Sequence, residues 1–324
     1  MQRILTNLVR TLAAHWLTAA PPVAEALRRA SDAAGRRLLA RIQDPVVGEI
    51  AIRAIHHEVP QSDAVVLIVH GIGGTADSGY CVEAARAAVD AGCSAVRISL
   101  RGADGNGDDI YHAGLTDDLR AVLSLPQLRR YRRVFLIGYS QGGNIALRAA
   151  QERIDPRIAG VAAICPPLDL RAAMENFDRR RFRLHKWLMN SRANESFATV
   201  ERRGRAFATV AELRRARTCA EWNELTIGRR FGFRSANHYY QATSVPRDWR
   251  RLRVPALLVF ATHDPVVPRA SIERALRRAP ANVQAVWRDF GGHIHFPRRT
   301  DLENQAIAWL IRHDRSAAQL ACAV

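Results

Sequence analysis

The chain has 324 residues, 48% of them apolar, which suits two ordinary domains or one large α/β domain with an insertion and argues against disorder. Its formal charge is +17, from 48 Lys and Arg against 31 Asp and Glu, and Lys186 is its only lysine. Such a surplus attracts anions, but no zinc-finger, RNP or basic-zipper pattern accompanies it, so no specific nucleic-acid partner is expected.

Five cysteines, Cys81, Cys93, Cys165, Cys219 and Cys322, contain no Cys-x-x-Cys pair. Their odd number and spacing argue against a disulfide framework or structural zinc and fit a reducing, cytoplasmic setting. No apolar run approaches 18 residues, so no membrane-spanning helix is expected.

Residues 1–45 read as an N-terminal helical extension with Arg-rich faces. Leu5, Leu8, Val9, Leu12 and Trp16 share one helical face up to Pro21-Pro22. Arg10 and His15 interrupt what would be a signal-peptide core. Docking of this face on the domain is expected, with peripheral membrane contact as the alternative. Residues 48–60 alternate with period two, as an antiparallel edge strand does. From Ala64 onward, short continuous apolar runs at 64–69, 95–100, 133–138, 158–164, 255–261 and 283–287 predict strands buried on both faces. Helical segments near 78–91, 116–125, 141–153 and 270–279 separate them. That alternation predicts an α/β fold with a mostly parallel, doubly wound sheet. Between about 168 and 250 the strand rhythm stops. The interval is Arg-rich and helical in propensity, with Trp187, Trp222, Tyr239, Tyr240 and Trp249, and reads as a cap over the sheet. The core is thus expected in two parts, 46–167 and 251–324, closed by a helix near 300–313.

The chemistry centres on Gly138-Tyr139-Ser140-Gln141-Gly142, set between the run Val134–Ile137 and a helical segment. Strand, Gly-bracketed serine and helix together can raise a hydroxyl above a sheet as a nucleophile. A serine needs a base and a group to orient that base. Asp264 follows the run Ala256–Phe260, and His293 follows Gly291-Gly292, so the order is Ser, Asp, His. Asp264 is also a plausible turn residue before Pro265. His295 makes a His-x-His pair with His293, but the spacing offers no third metal ligand. An oxyanion needs two backbone N–H donors. Gln141, after the serine, and Ile72, in His70-Gly71-Ile72-Gly73-Gly74 after the first core strand, are the expected pair. That glycine loop lacks the Walker Lys and Ser/Thr, so nucleotide binding is not expected. Residues 104–109 start like a calcium loop, but Asp109 and Leu115 occupy the positions that require Gly and Glu. Arg179-Arg180-Arg181 reads as a solvated face. No cofactor or metal is expected.

These motifs resemble the α/β-hydrolase superfamily. Its YheT-like branch, predicted esterases and hydrolases, is matched by further pieces: Arg101-Gly102, Ile110-Tyr111-His112-Ala113-Gly114, Asp117-Asp118, Asn144 and Asn237-His238-Tyr239-Tyr240. The resemblance spans about residues 45–315 and implies Ser140 as nucleophile, Asp264 as acid and His293 as base. Gln141 stands where that branch usually has leucine. The expected activity is hydrolysis of a small-molecule carboxylic ester of short to medium acyl chain, or a lipophilic one. A phospholipase or thioesterase using the same residues, and a non-catalytic binding protein on the same fold, are the alternatives.

Overall fold

The structure, a computed structural model, describes residues 35–179, 183–297 and 301–321. Its centre is one eight-stranded sheet of order β1-β2-β4-β3-β5-β6-β7-β8. The strands are β1 Arg36–Asp44, β2 Gly48–His57, β3 Ala64–Val69, β4 Ser94–Ser99, β5 Arg133–Tyr139, β6 Ile158–Ile164, β7 Ala256–Ala261 and β8 Val283–Arg288. From β4 to β8 every pairing is parallel, while β1–β2 and β2–β4 are antiparallel. β3, β4 and β7 are buried at every position, as their continuous apolar runs require.

Helices cover both faces of the sheet. α1 Gly79–Asp90 packs on one face around Ala84 and Ala88, together with Leu302, Ala306 and Leu310 near the C-terminus. On the other, α2 Asp117–Leu123 and α3 Gln141–Glu152 bury Leu119, Val122, Ile145 and Leu147. After β6 the chain leaves the sheet and returns at β7. This excursion carries α4 Leu170–Phe177, α5 Arg183–Arg202, α6 Val210–Arg215, α7 Cys219–Asn223 and α8 Ala236–Thr243. No strand occurs among its described residues, and it forms the expected cap. Helix α9 Arg269–Leu276 and the closing helix α10 Leu302–Ala321 complete the second core segment.

Two expectations are corrected near the amino end. Residues 36–44 form β1, not helix, and the sheet edge is β1, so 48–57 is an inner antiparallel strand. Arg, Leu and Ala favour helix in isolation, but pairing with β2 and burial of Leu38 and Ala40 override that preference. The turn is fixed by Asp44, whose Oδ1 accepts N–H bonds from Val46 and Val47, and by Gly48 at φ 79°. The apolar face proposed for residues 5–16 lies outside the described residues, as do Arg180 and Arg181. Among the described residues no helix is long and apolar enough to cross a membrane.

Candidate active site

Ser140 caps α3 at the carboxyl end of β5, with φ 51° and ψ −122°. That conformation costs a non-glycine residue about 1–3 kcal/mol, so its surroundings must impose it. They do so by crowding. A Cβ on Gly138 would lie 2.3 Å from the Gly142 carbonyl oxygen, and one on Gly142 would lie 2.3 Å from that of His70. Only glycine lets strand, turn and helix approach so closely. The turn is pinned by the Ser140 N–H, which donates to the Ile164 carbonyl at 2.8 Å.

The Ser140 hydroxyl meets His293 Nε2 at 2.7 Å, and His293 Nδ1 meets Asp264 Oδ2 at 2.8 Å. An ionised carboxylate only accepts, so Nδ1 carries the proton and Nε2 is left to accept from the serine. Asp264 is held on its other oxygen, where Oδ1 accepts the Val266 and Val267 N–H groups at 2.7 and 3.0 Å. Asp264 thus holds the turn through Oδ1 and contacts His293 through Oδ2. Cys165, fully buried at φ 48°, adds a thiol that bonds to Asp264, and burial pushes its pKa far up. Cys165, Asp264 and His293 each offer a donor atom within 4.8 Å of the others. His295, which forms the His-x-His pair with His293, is not in that group; its ring sits edge-on to Tyr80, with centroids 6.0 Å apart.

The 70–74 loop lies against the serine, since a Cβ on Gly71 would sit 3.2 Å from the Ser140 Cβ. His70 is fully buried, with Nδ1 donating to the Gly71 carbonyl at 2.7 Å and Nε2 accepting the Leu100 N–H at 3.1 Å. Burial pushes its pKa down to about 4, so the ring stays neutral. Gln141 opens α3, where first-turn N–H groups have no intrahelical acceptor. Both expected donor residues, Ile72 and Gln141, face the same cavity as Ser140 and His293.

That cavity has a volume of about 330 Å³ and lies between the sheet's carboxyl edge and the cap. Leu170, Met174, Phe177, Phe197 and Trp222 supply much of its apolar wall. Tyr239 and Tyr240 also line it, as their place in the insertion suggested. Trp249 does not; it is buried in the main core and its indole N–H donates to the Ala275 carbonyl. The Trp187 side chain lies outside the described residues. Arg101 and Asp109 reach the cavity wall, yet both are spent in a buried ion network. Arg101 binds Asp118 at 2.7 Å and Asp109 at 3.2 Å. Arg230 of the cap binds Asp109 at 2.8 Å and Asp44 of β1 at 2.7 Å. Cap, core and β1 are thereby tied together. The calcium-like loop is likewise committed to arginines: Asp104 pairs with Arg53, and Asp108 with Arg203 and Arg205.

All five residues singled out from sequence thus converge, and Ser140, His293 and Asp264 form one hydrogen-bonded chain. Sequence reasoning missed Cys165, Tyr80 and the Arg230–Asp109 tie. A cysteine directly after a strand, a tyrosine ten residues beyond His70 and one arginine among many carry no local signal. Tyr111 stood inside a matched motif, but without a role.

The alpha/beta hydrolase family model matches residues 65–304. A Dictyostelium discoideum abhydrolase domain-containing protein is 28% identical over 252 residues, covering 74% of this chain and 63% of that protein. The putative esterase YheT of Escherichia coli K12 is 28% identical over 254 residues, covering 76% of this chain and 73% of that protein. This chain therefore spans under two thirds of the first relative's length. Among solved structures, an esterase of Pyrococcus furiosus superposes with a TM-score of 0.57 at 14% identity, covering 86% of this chain and 93% of that one, a likeness of fold. The strand-turn-helix at Ser140, the strand order and the sequence matches agree: the chain belongs to the alpha/beta hydrolase family, in its YheT-like branch.

Proposed function

We propose that this protein is a serine hydrolase of carboxylic esters that works through an acyl-enzyme. The observation that carries the reading is the continuous chain from Ser140 Oγ through His293 to Asp264, with bonds of 2.7 and 2.8 Å. In acylation His293 Nε2 takes the hydroxyl proton as Oγ attacks the ester carbonyl. The carbonyl π pair moves onto oxygen, which the Ile72 and Gln141 N–H groups receive. Collapse of the adduct expels the alkoxide, which takes the proton from His293. Water then repeats the sequence on the acyl-enzyme, releasing the acid and restoring Ser140. Asp264 holds the ring and stabilises its charged form.

The apolar wall supports a neutral ester whose acyl chain occupies the cavity under the cap, of short to medium length. The charged groups Arg101 and Asp109 are already paired, so an anionic group would gain little there. A neutral small-molecule ester fits this best. The test is a series of p-nitrophenyl esters from acetate to dodecanoate, run beside a thioester and a phospholipid. Wild type should hydrolyse the oxygen esters, and Ser140→Ala should lower kcat by about 10⁴-fold or more. Undiminished hydrolysis by Ser140→Ala would sink the assignment.

A further inference from the structure

We infer that Tyr111, with Tyr80 and His70, is a positioning residue that aims the Ile72 N–H at the reacting carbonyl; this rests on the hydrolase reading above. Three consecutive peptide planes of the 70–73 loop are each held by a side chain. The His70–Gly71 plane is held by Tyr80, whose hydroxyl oxygen accepts the Gly71 N–H at 3.2 Å. The Gly71–Ile72 plane is held through the Gly71 carbonyl. That oxygen accepts from His70 Nδ1 at 2.7 Å and from the Gly74 N–H at 3.1 Å, with the Tyr111 hydroxyl at 3.5 Å. The Ile72–Gly73 plane is held by Tyr111, whose hydroxyl accepts the Gly73 N–H at 3.0 Å.

The peptide bond is trans, so the Gly71 C=O and the Ile72 N–H point to opposite sides of one plane. Fixing the carbonyl therefore fixes the direction of the N–H. Of the N–H groups of residues 71 to 74, three are spent: Gly71 on Tyr80, Gly73 on Tyr111 and Gly74 on the Gly71 carbonyl. The Ile72 N–H alone has no acceptor among the described residues, and the loop lies against Ser140. A glycine-rich loop has the freedom to rotate these planes. A donor must stand in place before charge develops, because reorganisation during reaction forfeits its benefit. Tyr111 holds two of the three planes, and its ring packs edge-on against His70, with centroids 5.6 Å apart and planes at 87°. It comes from the Ile-Tyr-His-Ala-Gly segment, 41 residues beyond His70.

The test compares wild type with Tyr111→Phe and Tyr80→Phe on a chromogenic ester and on an alkyl trifluoromethyl ketone. The ketone adds the serine Oγ to its carbonyl carbon, passes the hydroxyl proton to His293 and leaves an oxyanion in the hole. Tyr111→Phe keeps the ring and loses only the hydroxyl. It should lower kcat roughly ten- to thirtyfold with KM within about twofold, part of the loss expected for a missing donor. Ketone affinity should weaken by the same factor as kcat/KM, which a general loosening of the fold would not produce. Tyr80→Phe should shift both in parallel by a smaller factor, and it carries the comparison if Tyr111→Phe fails to fold. A folded variant with unchanged kcat and ketone affinity overturns the inference, as does a fall in kcat without a matching loss of ketone affinity. Failure of the hydrolase reading shows up separately: wild type would neither cleave any ester nor bind the ketone, and both conclusions would fall.

Discussion

Acidification should destabilise this protein through His70 and His112, and the size of the effect can be worked out. His112 is buried among Phe231, Phe233 and Tyr239, and its Nδ1 accepts the Gly114 N–H at 3.1 Å. Burial first, then the charges of Arg101, Arg148 and Arg230, push its pKa from 6.5 down to about 3. His70 falls from 6.5 to about 4. In the unfolded chain both titrate near their ordinary value, so between that value and the folded one the unfolded state binds more protons. Stability is then lost as pH falls. From about pH 7.5 to about pH 5 each histidine removes ~2 kcal/mol, a figure insensitive to the folded pKa while that stays below 5. Glu303 supplies a control of opposite sign. Burial raises its pKa from 4.5 to about 7, and it accepts the Tyr139 hydroxyl at 3.2 Å. The folded state takes that proton first, so Glu303 adds ~2 kcal/mol over the same acidification. Urea melts of wild type, His112→Gln and Glu303→Gln at the two pH values isolate these contributions. His112→Gln should lose ~2 kcal/mol less than wild type on acidification, and Glu303→Gln ~2 kcal/mol more. Equal losses in all three proteins would refute the linkage.

Three other substitutions have defined outcomes. Asp264→Asn keeps the shape but presents an amide where Nδ1 needs an acceptor, so kcat should fall about 10³–10⁴-fold with little change in KM, read on the chromogenic ester. Gly142→Ala places a methyl 2.3 Å from the His70 carbonyl oxygen and 2.4 Å from that of Val69, both backbone atoms. It should cost about 3 kcal/mol in a urea melt, with loss of activity. Arg230→Met leaves Asp109 with Arg101 alone and strips Asp44 of its partner. A loss of about 3 kcal/mol is expected, seen as a Tm lower by about 6 °C.

The inner parallel strands were readable because burial on both faces writes continuous apolar runs, and β5, β6 and β7 fall within a residue or two of those runs. β8 falls on its run as well, but it is the sheet edge and leaves Gln284 and Ala285 exposed, so the expectation of burial on both faces is corrected there. Ser140, Asp264 and His293 were readable for a related reason: each follows a strand, and the turns that present them demand glycine or proline nearby. β1 was not readable. Its Arg-Arg-Leu-Leu-Ala-Arg run fits a helix until β2 supplies hydrogen bonds, and that partner is a tertiary fact. Cap geometry was hidden for the same reason. Arg230 gains meaning only where Asp109 and Asp44 converge on it, and Tyr111 only where its hydroxyl reaches a loop 41 residues earlier. Composition predicted a helical cap with aromatics, but whether a given ring faces the cavity, as Trp222 does, or the core, as Trp249 does, depends on packing.

The central claim is a covalent bond between an acyl group and Ser140 Oγ. Rapid acid quench of wild type mixed with excess p-nitrophenyl ester, followed by peptide mass mapping, reads that bond directly. The expected result is one acyl adduct on the peptide carrying Gly138–Gly142, formed in step with a burst of nitrophenol and missing from Ser140→Ala. Turnover with no adduct, or an adduct on another residue that survives in Ser140→Ala, would contradict it.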